Sequence, residues 1–198
     1  MKSVLISIQP KWCELIASGK KTIEVRKTRP KLETPFKVYI YATEPRHKRD
    51  LGLCLDDGKV CLIYRWNYDY ARRHRMPILS GKVIGEFVCG KIDYWNHHIH
   101  DDDTITLERA SELSCVSEDD LVKYADLGHF YAWHIYDLKI YDHPKKLSEI
   151  AKPDKCPYNN QGECTYACHC YRAGQTKRCG DYMERPPQSW CYVEEGGE

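Results

Sequence analysis

Three charged residues near the amino terminus have the types and spacing to bind or transform a small ligand. The segment 19–26 matches the pattern G-x-K-x-x-E-x-R at every fixed position, with Lys21, Glu24 and Arg26 as its charged members. Because side chains alternate along a strand, Glu24 and Arg26 share one face and the apolar Ile23 lies on the other. An ammonium, a carboxylate and a guanidinium held together can recognise phosphates and exocyclic amines. We therefore interpret this segment as a ligand site.

The elements around this segment place it at a tight corner. Pro10 suits the first position of a helix, Trp12 begins its apolar spacing, and Gly19 suits a left-handed cap at its end. A short strand follows, so the adjacent Lys20 and Lys21 lie where two backbones approach. We include Lys20 among the residues expected to contact a ligand. The alternative interpretation is an edge strand whose charged face is solvated.

The remaining pattern predicts a mainly β (α+β) fold. Besides the site strand, runs of β-branched and aromatic residues predict strands at Val4–Ile8, Val38–Ala42, Val60–Tyr64, Val83–Cys89 and Tyr131–Tyr141. Two short helices are predicted at Leu107–Leu113 and Glu118–Leu127, the second with Ser117 as its N-cap. Because helices do not alternate with strands, we expect a small, partly closed β-barrel of five or six strands with short flanking helices.

One carboxylate is predicted on the core side of a strand. Glu86 has the parity of Ile84 and Val88, so it needs a buried partner, and Lys21 or Arg26 could supply one. Gly85, next to it, indicates a bulge or a close backbone approach.

Composition limits the classes of function. The 198 residues are 42% hydrophobic and 30% charged, as in a soluble globular protein. The formal net charge of +1 excludes a global field for nucleic-acid binding, so such binding must come from local patches. Segments 44–50 and 66–77 are predicted loops rich in basic residues, and tyrosines lie beside the basic group of the second, a mixture that suits a nucleic-acid groove. With no signal or membrane-spanning segment, we expect a cytoplasmic protein and no membrane partner.

The last quarter of the chain is rich in cysteine. We expect residues 1–145 to form the barrel domain and residues 146–198 to form an extension packed on it, with Trp190, Tyr192 and Val193 returning as a strand. In a reducing compartment, four thiolates are more plausibly a structural zinc site than disulfides. The predicted ligands are Cys156, Cys164, Cys170 and Cys179, with Cys168 or His169 as substitutes. Free thiols on a packed loop are the alternative.

Three segments in the same order resemble a known family. The G-x-K-x-x-E-x-R signature after Ser7–Pro10, the Gly81–Phe87 strand and the Tyr131–Ile135 strand resemble the ASCH domain, a branch of the PUA-like superfamily. The resemblance covers roughly residues 1–145. It implies a PUA-like barrel whose signature lines a cleft, and a role in binding RNA or modified nucleotides.

The resemblance also implies an enzymatic alternative. One relative in fold is an acetylcytidine amidohydrolase, in which the lysine matching Lys21 is catalytic together with a threonine and a downstream glutamate. Glu24 occupies the threonine position here, so Lys21 and Glu24 would be the catalytic residues. For the downstream position, Glu86, Glu108 and Glu112 all compete.

Three functions follow from these observations. The leading hypothesis is an RNA- or nucleotide-binding module that holds one base or nucleoside at Lys20, Lys21, Glu24 and Arg26. Trp12, Trp133 and Tyr131 are stacking candidates, although large aromatic residues are commonly core. The first alternative is a small amidohydrolase acting on acylated nucleosides. The second is a protein-interaction adaptor in which the signature only holds the barrel together.

Overall fold

A computed structural model describes residues 2–98, 104–126, 128–152 and 182–194. The strands in these ranges are β1 (Lys2–Ile8), β2 (Ile23–Arg26), β3 (Phe36–Ala42), β4 (Leu51–Asp56), β5 (Lys59–Tyr64), β6 (Lys82–Asn96), β7 (His129–Lys146) and β8 (Trp190–Glu194). The helices are α1 (Pro10–Ala17), α2 (Tyr68–Arg73), α3 (Leu107–Ser114) and α4 (Glu118–Tyr124), with 3-10 turns at Arg65–Asn67 and Leu147–Glu149. Within these ranges, no helix combines the length and apolar character needed to cross a bilayer.

Six strands form one mixed sheet in the order β2-β7-β6-β3-β1-β8. The β1–β3 pair is parallel and the other neighbouring pairs are antiparallel. The remaining strands, β4 and β5, form a separate hairpin that packs against α1. The mainly β class with few short helices is confirmed.

Side-chain contacts join the two edges of this sheet. Trp190 of β8 donates through Nε1 to Thr28 Oγ1 at 3.0 Å, just beyond the end of β2. The backbone N–H of Lys31 donates to the Tyr192 hydroxyl at 2.7 Å. Because β2 and β8 are the outermost strands, these bonds require the sheet to curl into a partly closed barrel.

The apolar residues divide into clusters on the two faces of the sheet. The largest lies inside the curl, under α1, and includes Ile6, Ile40 and Trp133. A second cluster, with Ile23 and Phe130, is covered by α3 and α4. Both faces of β2 are therefore turned toward protein rather than toward solvent.

The predicted elements are present, with two omissions. The terminal strand expected around Trp190 is β8, and Ser117 caps α4 by accepting from the Asp120 N–H at 3.2 Å. Strand β4 was not predicted, because Gly52 interrupts its pattern; a Cβ there would lie 1.9 Å from the Tyr68 hydroxyl oxygen. The segment 66–77, predicted as a loop, contains α2.

The predicted partner of Glu86 was wrong. Glu86 accepts a hydrogen bond from the Tyr141 hydroxyl and pairs with Lys37 Nζ at 3.6 Å, so neither contact involves the signature. The cause is Gly85, where a Cβ would lie 2.4 Å from the Lys139 carbonyl oxygen. The β6–β7 register shifts on both sides of Glu86, so simple alternation does not hold through this stretch.

Candidate functional site

The signature begins where α1 ends. Gly19 has a φ of 74°, in the left-handed region, and its N–H donates to the Ile16 carbonyl at 2.9 Å. The Lys21 N–H then donates to the Leu15 carbonyl at 3.0 Å, which turns the chain sharply from helix into β2. This corner, expected from the sequence, brings the Lys21 side chain back beside the strand that follows it.

The three charged residues of the signature form one ion-pair network, which we call the triad. Lys21 Nζ lies 3.3 Å from Glu24 Oε2, and Arg26 Nη2 lies 3.0 Å from Glu24 Oε1. The side chains are 2%, 7% and 13% exposed for Lys21, Glu24 and Arg26. A solvated charged edge strand is therefore excluded for these three residues.

Distant parts of the chain complete the triad. Lys21 Nζ donates to the Ser114 carbonyl at 3.0 Å, at the end of α3. Arg26 Nη2 donates to the Ser7 carbonyl at 2.7 Å, and Nη1 lies 3.4 Å from Ser189 Oγ. Buried charges need such partners to offset lost hydration. The network thus joins β1, β2, α3 and the segment before β8.

The sequence did not identify the three serines as site residues. Ser7 also donates through Oγ to the Pro187 carbonyl at 2.6 Å, and its N–H donates to the Ser189 carbonyl at 2.9 Å. The carboxyl-terminal segment therefore covers one side of the site. The one hint in the sequence that a serine belongs to the site was the position of Ser7 in the Ser7–Pro10 segment, which precedes the signature.

Two buried N–H donors near the triad have no hydrogen-bond partner among the described residues. They are Arg26 Nε and Trp133 Nε1. Glu24 is directly opposite Trp133 in the β2–β7 ladder, and Arg26 is opposite Tyr131. Because β2 alternates, Glu24, Arg26 and Trp133 lie on the same face of the sheet.

The predicted aromatic residues have different environments. Trp12 is half-buried, and its ring centroid is 5.3 Å from Lys21 Nζ. Trp133 is fully buried and packs edge-on against Phe36. Tyr131 is half-buried, with the Arg29 guanidinium 5.8 Å from its ring centroid. Trp12 and Tyr131 thus keep some exposed surface, whereas the Trp133 ring is core and contributes mainly its N–H group.

Other groups at the corner differ from the triad. Lys20 is exposed, so its side chain is not part of the buried network. Cys13, under the triad, is fully buried and donates to the Ile8 carbonyl at 3.5 Å. Burial, with a smaller contribution from the Glu24 charge, raises the pKa of the Cys13 thiol. Cys13 is therefore a neutral packing residue rather than a nucleophile.

Two cavities lie away from the triad. One of about 880 Å³ is bordered by the loop after β3, the 3-10 turn at Arg65–Asn67, α2 and the segment 75–80, and one of about 810 Å³ lies along residues 29–34. Neither is lined by Lys21, Glu24 or Arg26.

The predicted zinc ligands lie outside the described residues. They are Cys156, Cys164, Cys170 and Cys179, with the alternates Cys168 and His169. Within the described ranges, no group of three or more His, Cys, Asp or Glu side chains is arranged to hold a metal ion. The zinc site remains a prediction.

Comparisons with known proteins agree with the resemblance in the sequence. No curated protein matches the chain. The fold is similar to a crystal structure of ASCH from Zymomonas mobilis, with a TM-score of 0.53, 18% identity, and coverage of 98% of this chain and 88% of that one. A mutant of that protein gives a TM-score of 0.50 and 17% identity, covering 98% of this chain and 92% of that one. A family model, the ASCH domain, matches residues 6–171. The chain belongs to the ASCH domain family.

Proposed function

We propose that this chain is a nucleotide- or RNA-binding module that holds one base or nucleoside beside the triad. The observation that supports it best is the pair of buried donors without partners, Arg26 Nε and Trp133 Nε1. A buried donor left unpaired costs about 1–3 kcal/mol. A ligand that brings acceptor atoms to this face would remove that cost, and the carbonyl oxygens of a nucleobase are such acceptors.

Glu24 adds a complementary preference to the proposed site. A carboxylate has about four lone-pair sites, and here one oxygen faces Lys21 and the other faces Arg26. Lone pairs therefore remain to accept a hydrogen bond from an exocyclic amine or a ring N–H. The N–H donors of Arg26 and Trp133 beside the Glu24 acceptor match the edge of a nucleobase, where carbonyl groups alternate with amino or imino groups.

The contacts of Lys21 favour binding over amide cleavage. Its Nζ group faces the Glu24 carboxylate and the Ser114 carbonyl, and both are acceptors that use the protons of an ammonium group. A catalytic base needs an unprotonated amine. As a result, Lys21 is better suited to attract a ligand than to remove its proton.

Calorimetric titration of the full chain with cytidine, uridine and N4-acetylcytidine tests the proposal. Arg26→Lys keeps a cation facing Glu24 but removes the Nε–H donor, and Trp133→Phe keeps an aromatic ring but removes the indole N–H. We expect each variant to weaken binding about threefold to tenfold, the value of one hydrogen bond. Trp95→Phe is the control, because Trp95 stacks on Phe130 in the other core cluster.

Each other outcome points to a different function. Equal affinity in wild type, Arg26→Lys and Trp133→Phe would remove this site from consideration. Release of cytidine from N4-acetylcytidine by wild type would replace the binding proposal with the amidohydrolase. If none of the three nucleosides binds wild type, the triad is a structural network, as in the adaptor alternative.

A further inference from the structure

A second surface, away from the triad, combines positive charge with exposed aromatic rings. The cavity of about 880 Å³ is bordered by five basic and two acidic side chains, whereas the whole chain carries a net charge of only +1. The charged residues that line this basic cavity are Lys48, Arg65, Arg72, Arg75, Lys82, Glu44 and Asp69. The excess of positive charge makes the cavity a local anion-binding surface.

Backbone hydrogen bonds hold the walls of the basic cavity in place. The Trp66 N–H donates to the Lys48 carbonyl at 3.1 Å, and the Arg65 N–H donates to the Asp50 carbonyl at 3.1 Å. Arg65 Nη1 donates to the Arg46 carbonyl at 2.8 Å, so this guanidinium is partly used in joining the two loops. The loop after β3 and the 3-10 turn that follows β5 therefore form one preformed wall.

An aromatic pair stands at the edge of this wall. The Trp66 ring stacks on Tyr64 with 4.5 Å between centroids and 21° between planes. Trp66 is 51% exposed and Tyr64 is 44% exposed. Exposed aromatic rings beside a positively charged groove are typical of proteins that stack the bases of single strands.

Arg75 occupies an unfavourable backbone conformation at the mouth of the cavity. It follows the C-cap of α2 and has a φ of 58°, in the left-handed region where glycine or asparagine is usual. Within the described ranges its guanidinium makes no ion pair. Arginine in this conformation makes the fold less stable than glycine would. Retention of arginine at such a position indicates that its charge serves to bind an anion.

We propose that the basic cavity binds single-stranded nucleic acid, with a base stacked on Trp66 and backbone phosphates at Arg75 and Lys48. Guanidinium and ammonium groups bind phosphate oxygens, and an exposed indole accepts any base. The cavity is large enough for a nucleotide. This inference goes beyond the proposed nucleoside site and does not depend on it.

Fluorescence anisotropy with a labelled oligouridylate of about ten nucleotides tests the inference on the full chain at several salt concentrations. We expect Trp66→Ala to weaken binding at least about fivefold, because stacking is lost, with the salt dependence unchanged. Arg75→Gly should weaken binding and reduce the slope of log K against log salt by about 0.7, the value for one phosphate contact on a single strand. The same variant should melt about 2–4 °C higher, because the left-handed position then suits its residue.

Arg109→Ala is the matched control for loss of charge. Arg109 lies on α3 with 57% of its side chain exposed and faces Glu112, away from the basic cavity. The inference is supported if Arg109→Ala keeps the wild-type affinity and the wild-type slope of log K against log salt, while Arg75→Gly loses affinity. Equal losses in both variants, unchanged binding in Trp66→Ala and Arg75→Gly, or no binding by wild type at about 50 mM salt would overturn it. If Arg26→Lys alone weakened oligouridylate binding, the basic cavity would be excluded while the nucleoside site stood.

Discussion

Neutralising Glu24 should destabilise the protein more than any change of similar size at the surface. Glu24→Gln retains the shape of the side chain but removes the negative charge between Lys21 and Arg26, whose nitrogens lie 3.3 and 3.0 Å from the carboxylate. Two poorly hydrated cations would then face each other without a counter-ion. Removing one partner of a buried ion pair costs about 3–5 kcal/mol. That is a fifth or more of the stability of a marginal domain of about 5–15 kcal/mol.

Equilibrium unfolding in urea, followed by tryptophan fluorescence, measures this loss directly. Glu112→Gln is the control, because Glu112 is 66% exposed and pairs with an exposed Arg109, so its loss should cost less than about 1 kcal/mol. Lys21→Met should cost less than Glu24→Gln, since it leaves Glu24 neutralised by Arg26. A loss below about 1 kcal/mol for Glu24→Gln would refute the burial of the triad.

Two further predictions concern the cysteines. Iodoacetamide should alkylate the exposed Cys115 in the native protein but not Cys13 or Cys89, because both are buried and burial raises the pKa of the Cys89 thiol to about 12. Peptide mapping that found all three cysteines equally labelled before unfolding would contradict the packing. Metal analysis of the purified chain should give about one equivalent of zinc, and this zinc should be lost when the predicted thiol ligands are replaced by serine. Less than about half an equivalent of zinc in wild type would count against the site. Those ligands are Cys156, Cys164, Cys170 and Cys179.

Local sequence rules were sufficient for most elements. Proline at the first position of α1, glycine at its cap and Ser117 before α4 act within one or two turns, so they predict the same ends in any tertiary setting. They failed at Gly52, where the Tyr68 side chain approaches the backbone closely and interrupts the pattern of β4. They also failed at Glu86, although the close approach predicted at Gly85 is confirmed, because the shifted register there breaks the simple alternation. A glycine that interrupts a strand pattern does not reveal which distant atom requires it.

The sequence by itself determined that Lys21, Glu24 and Arg26 act together. Turn and strand geometry relate residues 2 to 5 apart, and the signature alone fixes those separations in the chain. Tertiary structure decided that the triad is buried. The groups that make burial tolerable are the carbonyls of Ser7 and Ser114 and the hydroxyl of Ser189, which lie far away in sequence. A charge can leave water only where such partners converge, and their convergence is a property of the folded sheet.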